Sequence, residues 1–300
     1  MKGQAGYSVV WLGLVFVLLI FMLWSNIASA SEPAVLLLEY GDPRGDDFGP
    51  GTYTYPTEDV FQASPGLFDL LAVRIWDSDE YWLFDVVMAA TTNPRRAPEG
   101  FDWQLIDIYL DTIEGSGYLG VVNPEGPRVQ FAPGSGWEYR IKIAPWSQAK
   151  IYISPEDSGR AIDVNALPDG STLRAQVPKE WIDGLSSQTG IAVLVGGFDP
   201  LGPDHYRVVD EAGSIWRFGG KDPQGLGPNV LDLLADTEGA TGSQESQLSS
   251  FSDQHLALIH CVYPQKPSYP YPVILLAVML AAVVALAIGF LWGLYRRRDG

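Results

Sequence analysis

The chain has few of the side chains that build disulfides, thiolate metal sites and proton-transfer sites. It contains one cysteine, Cys261, and three histidines in 300 residues. A single cysteine excludes a disulfide within the chain, so the core and any bound metal have to supply the stability. The motifs GxSxG and HExxH, the Walker phosphate loop and the Asn-x-Ser/Thr sequon do not occur. We therefore expect a protein that is not an enzyme, carries no N-linked glycan and keeps Cys261 unpaired.

Basic side chains are also scarce. Lysine and arginine total 19 against 36 aspartates and glutamates, which gives a net charge of −17 at pH 7. A surface of this sign repels the phosphates of nucleic acids and the headgroups of anionic lipids. The composition therefore excludes nucleic acid as a partner, and it favours a neutral or a cationic one.

An apolar run lies near the start of the sequence. It extends over Val9–Trp24, follows Lys2 and precedes the small-x-small motif Ala28-Ser29-Ala30. This pattern is typical of a secretory signal peptide, which we place at residues 1–30, and an uncleaved signal anchor is the alternative. Either interpretation exports the residues that follow.

A second apolar run, 273–295, has no charged residue and is long enough to cross a bilayer as a helix. Three arginines follow it directly, and positively charged residues that flank a membrane helix stay in the cytoplasm. We therefore predict a single-pass protein of the cell membrane, with a transmembrane helix at 273–295 and a cytoplasmic tail at 296–300. The Pro- and Tyr-rich residues 259–272 are predicted to form an extended extracellular stalk.

Residues 31–258 have the pattern of short strands separated by turns. Apolar runs are bounded by Gly, Pro, Asn and Asp, as expected for strands. The predicted strands are Ala72–Trp76, Tyr81–Met88, Leu105–Leu110, Arg128–Phe131, Trp137–Ile143, Ala149–Ile153, Thr172–Val177 and Ile191–Gly196. A short helix is predicted at Pro178–Asp183, and either a helical turn or a short strand at Val230–Ala235. Many short strands with frequent turns predict one all-β domain, an antiparallel β-sandwich.

An acidic loop follows the predicted signal peptide. Residues 41–56, GDPRGDDFGPGTYTYP, contain four glycines and three prolines, which impose an irregular path. Three carboxylates lie close together in this loop, those of Asp42, Asp46 and Asp47. Clustered carboxylates are stable when solvated or when bound to a cation, and Ca²⁺ takes about six to eight oxygen ligands. The pattern therefore predicts either a structural Ca²⁺ site or a solvated acidic turn.

Several segments match a known family in order along the chain. They are Gly45–Pro56, Phe68–Leu70, Gly100–Phe101, Gln104, Ile106–Tyr109, Gly136–Trp137, Gly197–Pro200, Gly202–Asp204, Trp216–Gly220, Pro228–Ala235 and Gln244–Glu245. Through them the chain resembles, from Tyr40 to Phe251, the C-terminal module of glucodextranase, which is also appended to amylopullulanases and related glycoside hydrolases. That module is a DOMON-like β-sandwich similar to family 9 carbohydrate-binding modules. Attachment to the cell wall or S-layer is inferred for some members.

The resemblance implies a DOMON-like sandwich, an immunoglobulin-like jelly roll, with bound Ca²⁺. It designates Asp42, Asp46 and Asp47 as candidate ligands, with Asp69 and Asp107 as weaker candidates. The well-known members are fused to a catalytic domain, whereas this chain has none. Trp103 stands where the family has a smaller residue.

Aromatic residues make up 12% of the chain, and ten of them are tryptophans. Indole and phenol rings stack on the apolar faces of sugars while polar side chains bind the hydroxyls, but the same rings also fill sandwich cores. The candidates for sugar stacking are Trp76, Tyr81, Trp82, Trp103, Trp146 and Trp181. Trp137 and Trp216 lie in segments that match the family, and we interpret them as structural.

Trp103 is the first choice among these candidates. Alternate residues of a strand point to opposite faces of its sheet. The predicted faces are Trp103, Leu105, Asp107 and Tyr109 on one side and Ile106, Ile108 and Leu110 on the other. A ring and a carboxylate on one face form the combination that a sugar site requires.

These patterns favour a non-catalytic module on the cell surface that binds a polysaccharide or a cell-envelope glycan. It would hold the glycan close to a partner glycoside hydrolase or transporter. One alternative is a structural envelope protein or an accessory subunit of a membrane complex. Another is a DOMON-type electron-transfer domain, in which Met88 and His205 hold a haem iron.

Overall fold

The computed structural model of the protein describes residues 33–235 and 241–264. The predicted signal peptide, transmembrane helix and cytoplasmic tail lie outside these residues. Within the described ranges, no helix combines the length and the apolarity needed to span a bilayer. The chain divides into two compact units, 1–262 and 263–300, and only Tyr263 and Pro264 of the second unit are described.

The described residues form mostly strands and loops. The strands are β1 (Val35–Gly41), β2 (Leu70–Asp77), β3 (Tyr81–Met88), β4 (Gln104–Asp111), β5 (Val129–Phe131), β6 (Tyr139–Ile143), β7 (Lys150–Tyr152), β8 (Arg160–Ala161), β9 (Asp163–Ala166), β10 (Thr172–Pro178), β11 (Gly190–Gly197), β12 (Asp232–Leu233) and β13 (Ala257–Ile259). Two short α-helices, α1 (Asp59–Gln62) and α2 (Gln244–Leu248), accompany them. The predicted all-β class is confirmed.

Two antiparallel sheets make up the body of the domain. Five strands in the order β1-β2-β3-β10-β9 form the first sheet, and six in the order β12-β11-β4-β6-β7-β8 form the second. β5 and β13 add a parallel pair. Two antiparallel sheets that share a core are consistent with the predicted β-sandwich.

The main core lies between the sheets, because each sheet turns an apolar row inward. Phe84 and Val86 contribute from β3, Ile106 and Ile108 contribute from β4, and none of them is exposed. Each fully buried large apolar side chain stabilises the fold by about 1.5–3 kcal/mol. Tyr109 belongs to a second cluster on the other face of β4, so the predicted alternation within this strand is confirmed.

The outer face of the second sheet is covered by a further apolar layer. Phe131 of β5, Leu248 of α2 and Ile259 of β13 pack in this second cluster. The sheet is therefore enclosed on both faces, and polar side chains on its outer face, such as Arg140 and Lys142, are buried.

Most of the predicted strands form, and the hairpin of β2 and β3 forms as predicted, with Ile75 opposite Phe84. The segment Pro178–Asp183 is different from its prediction. Pro178 still belongs to β10, a single 3₁₀ turn covers Lys179–Trp181, and Ile182 is extended. Val230–Ala235 contributes the short strand β12 rather than a helical turn.

The first residues of the predicted stalk belong to the folded domain. Ile259 ends β13, the Cys261 side chain is completely buried, and Val262 pairs with Ile191 of β11. An extended stalk can therefore begin only after Val262. Cys261 is a free thiol, and because it is covered it is not available for a lipid or for a disulfide with another chain.

Candidate functional site

Three carboxylates from distant parts of the sequence meet beside the first sheet. Asp42 directly follows β1, Asp46 lies in the acidic loop, and Asp232 begins β12. One oxygen of each lies within 4.8 Å of the others. The loop reaches β12 because the Gly49 N–H donates to the Leu231 carbonyl (2.7 Å). Asp42 and Asp46 were predicted as ligands, and Asp232 was not.

This acidic cluster leaves two carboxylate oxygens without partners. Asp232 Oδ2 accepts from the Leu70 N–H (2.6 Å), and Asp42 Oδ1 accepts from the Ala235 N–H (3.4 Å). Asp42 Oδ2 and Asp46 Oδ1 are buried and have no hydrogen-bond partner among the described residues. Buried charged oxygens without partners are costly, and one cation would pair with both. Since the donor set consists of oxygens alone, its chemistry fits a hard cation such as Ca²⁺.

The acidity of these three groups is shifted by burial and by their mutual repulsion. Burial, followed by the charge of Asp46, raises the pKa of Asp42 to about 8. Burial raises the pKa of Asp46 to about 6. Burial and the charge of Asp42 raise the pKa of Asp232 well above its usual value. The cation-free cluster therefore retains protons near neutral pH, and a divalent cation would have to displace them.

Two of the predicted ligands support the loop around the acidic cluster. Asp69 Oδ1 accepts from the Gly45 N–H (3.0 Å), which positions the loop. Asp47 accepts from the Tyr55 hydroxyl, and Asp47 is almost completely buried. These contacts place both carboxylates beside the cluster but outside the group of three.

A buried ion network lies on the outer face of the second sheet. Arg140 of β6 donates to both oxygens of Asp107 on β4 (2.9 and 2.7 Å) and to Asp204 Oδ2 (2.5 Å). Lys142 Nζ donates to Asp204 Oδ1 (2.7 Å), and the Tyr206 hydroxyl donates to Asp107 Oδ2 (2.7 Å). Both oxygens of Asp107 are occupied and its side chain is completely buried. The prediction that Asp107 is a metal ligand is therefore wrong.

The predicted haem pair does not form. Met88 is completely buried in the core between the sheets. Ile141 and Ile143 of β6 also point into that core, so Lys142 between them points to the opposite face. His205 lies with Lys142, at 3.2 Å between Nδ1 and Nζ. A whole sheet separates Met88 from His205, so they cannot bind one iron and this predicted pair of haem ligands is wrong.

We expect the stability to depend on pH through His205. Burial and the positive charge of Lys142 lower the pKa of this imidazole below its usual value of 6.5, with Lys150 and Arg140 acting in the same direction and Asp204 opposing them. As pH falls through the usual value, the unfolded chain takes up a proton that the folded protein rejects, which destabilises the fold. His205→Asn removes this loss. Asn is suitable because it tolerates the left-handed backbone found here, at φ 67°.

The measurement is urea denaturation of both proteins at about pH 7.5 and pH 5.5, on either side of the imidazole's usual pKa. The variant should gain stability relative to the wild type at the lower pH. His255→Asn, at an exposed histidine, is the control and should show no such gain. An equal pH response for His205→Asn and wild type would contradict the prediction.

Trp103 is not available for sugar stacking, because only 1% of it is exposed. It precedes β4 and packs in the main core rather than on the Asp107 face. The rings of Phe61 and Trp216 lie 4.9 and 6.2 Å from it between centroids, and the Arg95 guanidinium lies 4.0 Å from its ring centroid. The prediction that Trp103 is the leading sugar-stacking residue is therefore wrong, and Trp103 packs in the core instead.

The remaining aromatic candidates lie on different elements. Trp76 points away from the core of the first sheet, and its Nε1 donates to Asp85 Oδ2 (2.9 Å). Tyr81 is partly exposed, and the neighbouring Trp82 is half-buried against the core. Trp146 is 38% exposed, on a loop outside these strands. These four residues therefore do not line a common cleft.

A different set of aromatic side chains does share a cleft, which we call the Tyr139 cleft. It has a volume of about 600 Å³. Its aromatic residues are Tyr118, Tyr139 and Trp181, and its charged residues are Glu138, Arg160, Glu180 and Asp183. Trp181 was among the predicted aromatic candidates. Tyr118 and Tyr139 were missed, because they come from separate segments that meet only in the folded chain.

The side chains of the Tyr139 cleft are held in place from behind. The Tyr139 hydroxyl accepts from the Asp183 N–H (3.0 Å), and the Arg160 guanidinium lies 5.4 Å from the centroid of the Trp181 ring. Glu138 Oε2 accepts from a backbone N–H (2.8 Å), while its Oε1 has no partner among the described residues. Supported rings beside the exposed carboxylates of Glu180 and Asp183 can hold a hydroxylated ring by stacking and hydrogen bonding.

A comparison with known families places this geometry in context. A family model described as the C-terminal, SLH-like binding module of glucodextranase matches residues 37–263. The match includes both the acidic cluster and the Tyr139 cleft. No curated protein matches the chain.

Proposed function

The chain belongs to the family of glucodextranase C-terminal binding modules, and on that basis we propose that it binds a polysaccharide or a cell-envelope glycan in the Tyr139 cleft. The observation that carries the proposal is the grouping of Tyr118, Tyr139 and Trp181 around one opening beside the exposed carboxylates of Glu180 and Asp183. Sugars need an apolar platform together with hydrogen-bonding partners, and this cleft offers both.

The charge of the Tyr139 cleft bears on which glycan it accepts. Glu138, Glu180 and Asp183 outnumber Arg160, the one basic residue of its lining. Carboxylates repel uronic acids and other anionic sugars and accept hydrogen bonds from hydroxyls. A neutral glycan, or one with amino sugars, therefore fits better than an acidic one.

We expect Trp181→Ala to weaken glycan binding by at least about tenfold, the effect of losing roughly 1.4 kcal/mol of stacking. The full chain, in a detergent without sugar headgroups, is mixed with insoluble starch, dextran, cellulose, chitin and native cell envelope, and the retained fraction is measured. Soluble fragments of any retained polysaccharide then give the affinity by calorimetry.

Two further variants make this test specific. Glu180→Gln changes an exposed carboxylate of the Tyr139 cleft and leaves the fold unperturbed, so it should weaken binding even if Trp181→Ala misfolds. Trp146→Ala removes an exposed tryptophan outside the cleft and should bind like the wild type. If the folded wild type is retained on no glycan, the chain is instead an envelope or complex subunit.

Ca²⁺ bound by Asp42, Asp46 and Asp232 is part of the proposal. The support is the 4.8 Å grouping of the three carboxylates together with the two buried oxygens that have no partner in the described part of the chain. An ion here would connect the acidic loop to β12 and so stabilise the domain. It would act structurally, and the glycan contacts would come from the Tyr139 cleft.

Display at the cell surface completes the proposal. An exported domain followed by a membrane helix at 273–295 would hold captured glycan close to a partner glycoside hydrolase or transporter. Tethering raises the local concentration of substrate without any new contact. The DOMON-like grouping with family 9 carbohydrate-binding modules is proposed on the same basis as the glycan ligand.

A further inference from the structure

An exposed tryptophan lies near the opposite end of β4 from the Tyr139 cleft. Trp216 is 44% exposed, and its ring stacks on that of Trp103 with 6.2 Å between centroids and 21° between planes. Trp103 is itself fixed by the main core and by the guanidinium groups of Arg95 and Arg207, at 4.0 and 5.4 Å from its ring centroid. The exposed ring of Trp216 is therefore supported from beneath by a rigid aromatic stack.

A cavity of about 420 Å³ adjoins this ring. We call it the Trp216 surface and define it by the lining residues Asp199, Leu201, Arg207, Asp210, Trp216 and Arg217. Leu201 is 94% exposed, so the surface offers a second apolar group beside the indole ring.

The polar groups of the Trp216 surface are balanced in charge. Two arginines, Arg207 and Arg217, face two aspartates, Asp199 and Asp210, and Arg217 pairs with Asp210 at 2.7 Å. Arg207 donates to the Trp216 carbonyl (3.0 Å), and its buried Nε has no partner among the described residues. A surface with both donors and acceptors but no excess charge suits a neutral, hydroxylated ligand. This differs from the −17 of the whole chain.

The Trp216 surface and the Tyr139 cleft are far apart. Trp103, beneath Trp216, directly precedes the first residue of β4. Tyr139, in the cleft, pairs with Leu110 at the other end of that strand. Eight residues of strand span about 25 Å. One sugar ring cannot contact both sites, so each would hold its own segment of glycan.

We propose that the Trp216 surface is a second binding site, specific for neutral glycans, which makes the module bivalent. The inference rests on the proposed function, because the ligand class is the same. Its consequence is new: one domain holds two segments of a chain, or two chains, and the second contact is favoured by the high local concentration after the first. Trp216, interpreted from the sequence as structural, becomes a ligand-binding residue.

Calorimetry on the full chain, in a detergent without sugar headgroups, tests the stoichiometry. The probes are a soluble isomalto-oligosaccharide and a soluble chito-oligosaccharide. We expect two sites per wild-type chain for a probe that binds. Trp216→Ala should weaken one site by at least about tenfold and leave the Tyr139 cleft intact, and Trp181→Ala should do the reverse. The double variant should bind at both sites at least about tenfold more weakly than the wild type.

Arg217→Ala tests the same surface in case Trp216→Ala does not fold. Its side chain is largely exposed, so the fold should be retained while the affinity of the Trp216 surface falls. A second readout is the turbidity of long dextran, a neutral polymer, because only a bivalent protein cross-links its chains. The wild type should give turbidity, and each single variant should not.

Three outcomes would overturn the proposal. One site per wild-type chain, removed by Trp181→Ala and untouched by Trp216→Ala, would leave the proposed function in place and reject the second site. A change of oligomeric state in Trp216→Ala with both sugar sites intact would make the Trp216 surface a contact between copies of the chain. No binding of any glycan by the folded wild type would reject both the proposed function and this inference.

Discussion

Arg140→Met will lower the free energy of unfolding by about 3–5 kcal/mol, a large part of the total for a single domain. Arg140 is completely buried and binds Asp107, which is also completely buried, and Asp204, which is nearly so. Removing the guanidinium leaves the Asp107 carboxylate without its opposite charge in a region that water cannot reach. The loss of stability comes mainly from the buried, uncompensated charge of Asp107 and less from the lost attraction of the ion pair itself.

Urea denaturation gives the size of the effect, as a lower midpoint with an unchanged slope. Arg74→Met is the matched control. Arg74 also lies on a strand and binds a carboxylate, Glu39, at 2.7 Å, but both side chains are more than a third exposed. This variant should lose less than about 1 kcal/mol. Equal losses for the two variants would show that burial does not determine the cost.

A double variant distinguishes the cost of an unpaired buried charge from the loss of the ion pair itself. In Asp107→Leu/Arg140→Met no unpaired charge remains on β4 or β6, while Lys142 still binds Asp204. We expect it to be more stable than Arg140→Met alone, since buried ion pairs replaced by apolar residues often cost little. A further loss in the double variant would mean that Asp107 contributes more than its pairing with Arg140.

Removal of the Ca²⁺ that we propose for the acidic cluster is the second change with a large expected effect. At free Ca²⁺ about 100-fold above the dissociation constant, binding to the folded state alone stabilises it by about 2.7 kcal/mol. Chelation should therefore lower the melting temperature of the full chain clearly. The reason is the acidic cluster, where Asp42 Oδ2 and Asp46 Oδ1 have no other partner within residues 33–235 and 241–264.

For Asp42→Asn and the wild type, we expect the order of melting temperatures with chelator to be the reverse of the order with Ca²⁺. With chelator, the variant should melt at or above the wild type, because the raised pKa of Asp42 forces the folded wild type to take up a proton, whereas asparagine is neutral without one. With Ca²⁺, it should melt below the wild type, because a ligand charge is lost. Asp169→Asn, at a loop aspartate outside the acidic cluster, should retain the full Ca²⁺ response. A full response in Asp42→Asn as well would disprove this site.

The strands were predictable from sequence where local pattern decides the structure. Tyr81–Met88 forms β3 over the predicted residues, and Ile106 and Ile108 point into the core as alternation requires. β13 was missed because its three residues pair in parallel with β5, which is far away in sequence. A contact of this kind leaves no local pattern in the sequence. Trp103 was predicted on the wrong face because we extended the alternation of β4 to it, although β4 begins only at Gln104.

The sites were predictable only where their residues are close in sequence. Asp42 and Asp46 share one loop and were predicted as ligands, whereas Asp232 joins them through the pairing of β11 and β12. Its only signal was a lone carboxylate within an otherwise apolar run. The Tyr139 cleft depends likewise on three segments, around Tyr118, Tyr139 and Trp181, that a linear pattern cannot bring together.

The buried thiol of Cys261 can serve as a labelling probe for local opening of the domain. It lies next to Val262, where the folded domain ends, and burial raises its pKa well above that of a free thiol. A thiol reagent reaches it only when the C-terminal strand detaches, so the labelling rate reports how often this end opens. Labelling with and without glycan or Ca²⁺ therefore measures whether binding at the Tyr139 cleft, the Trp216 surface or the acidic cluster slows the opening of the C-terminal end.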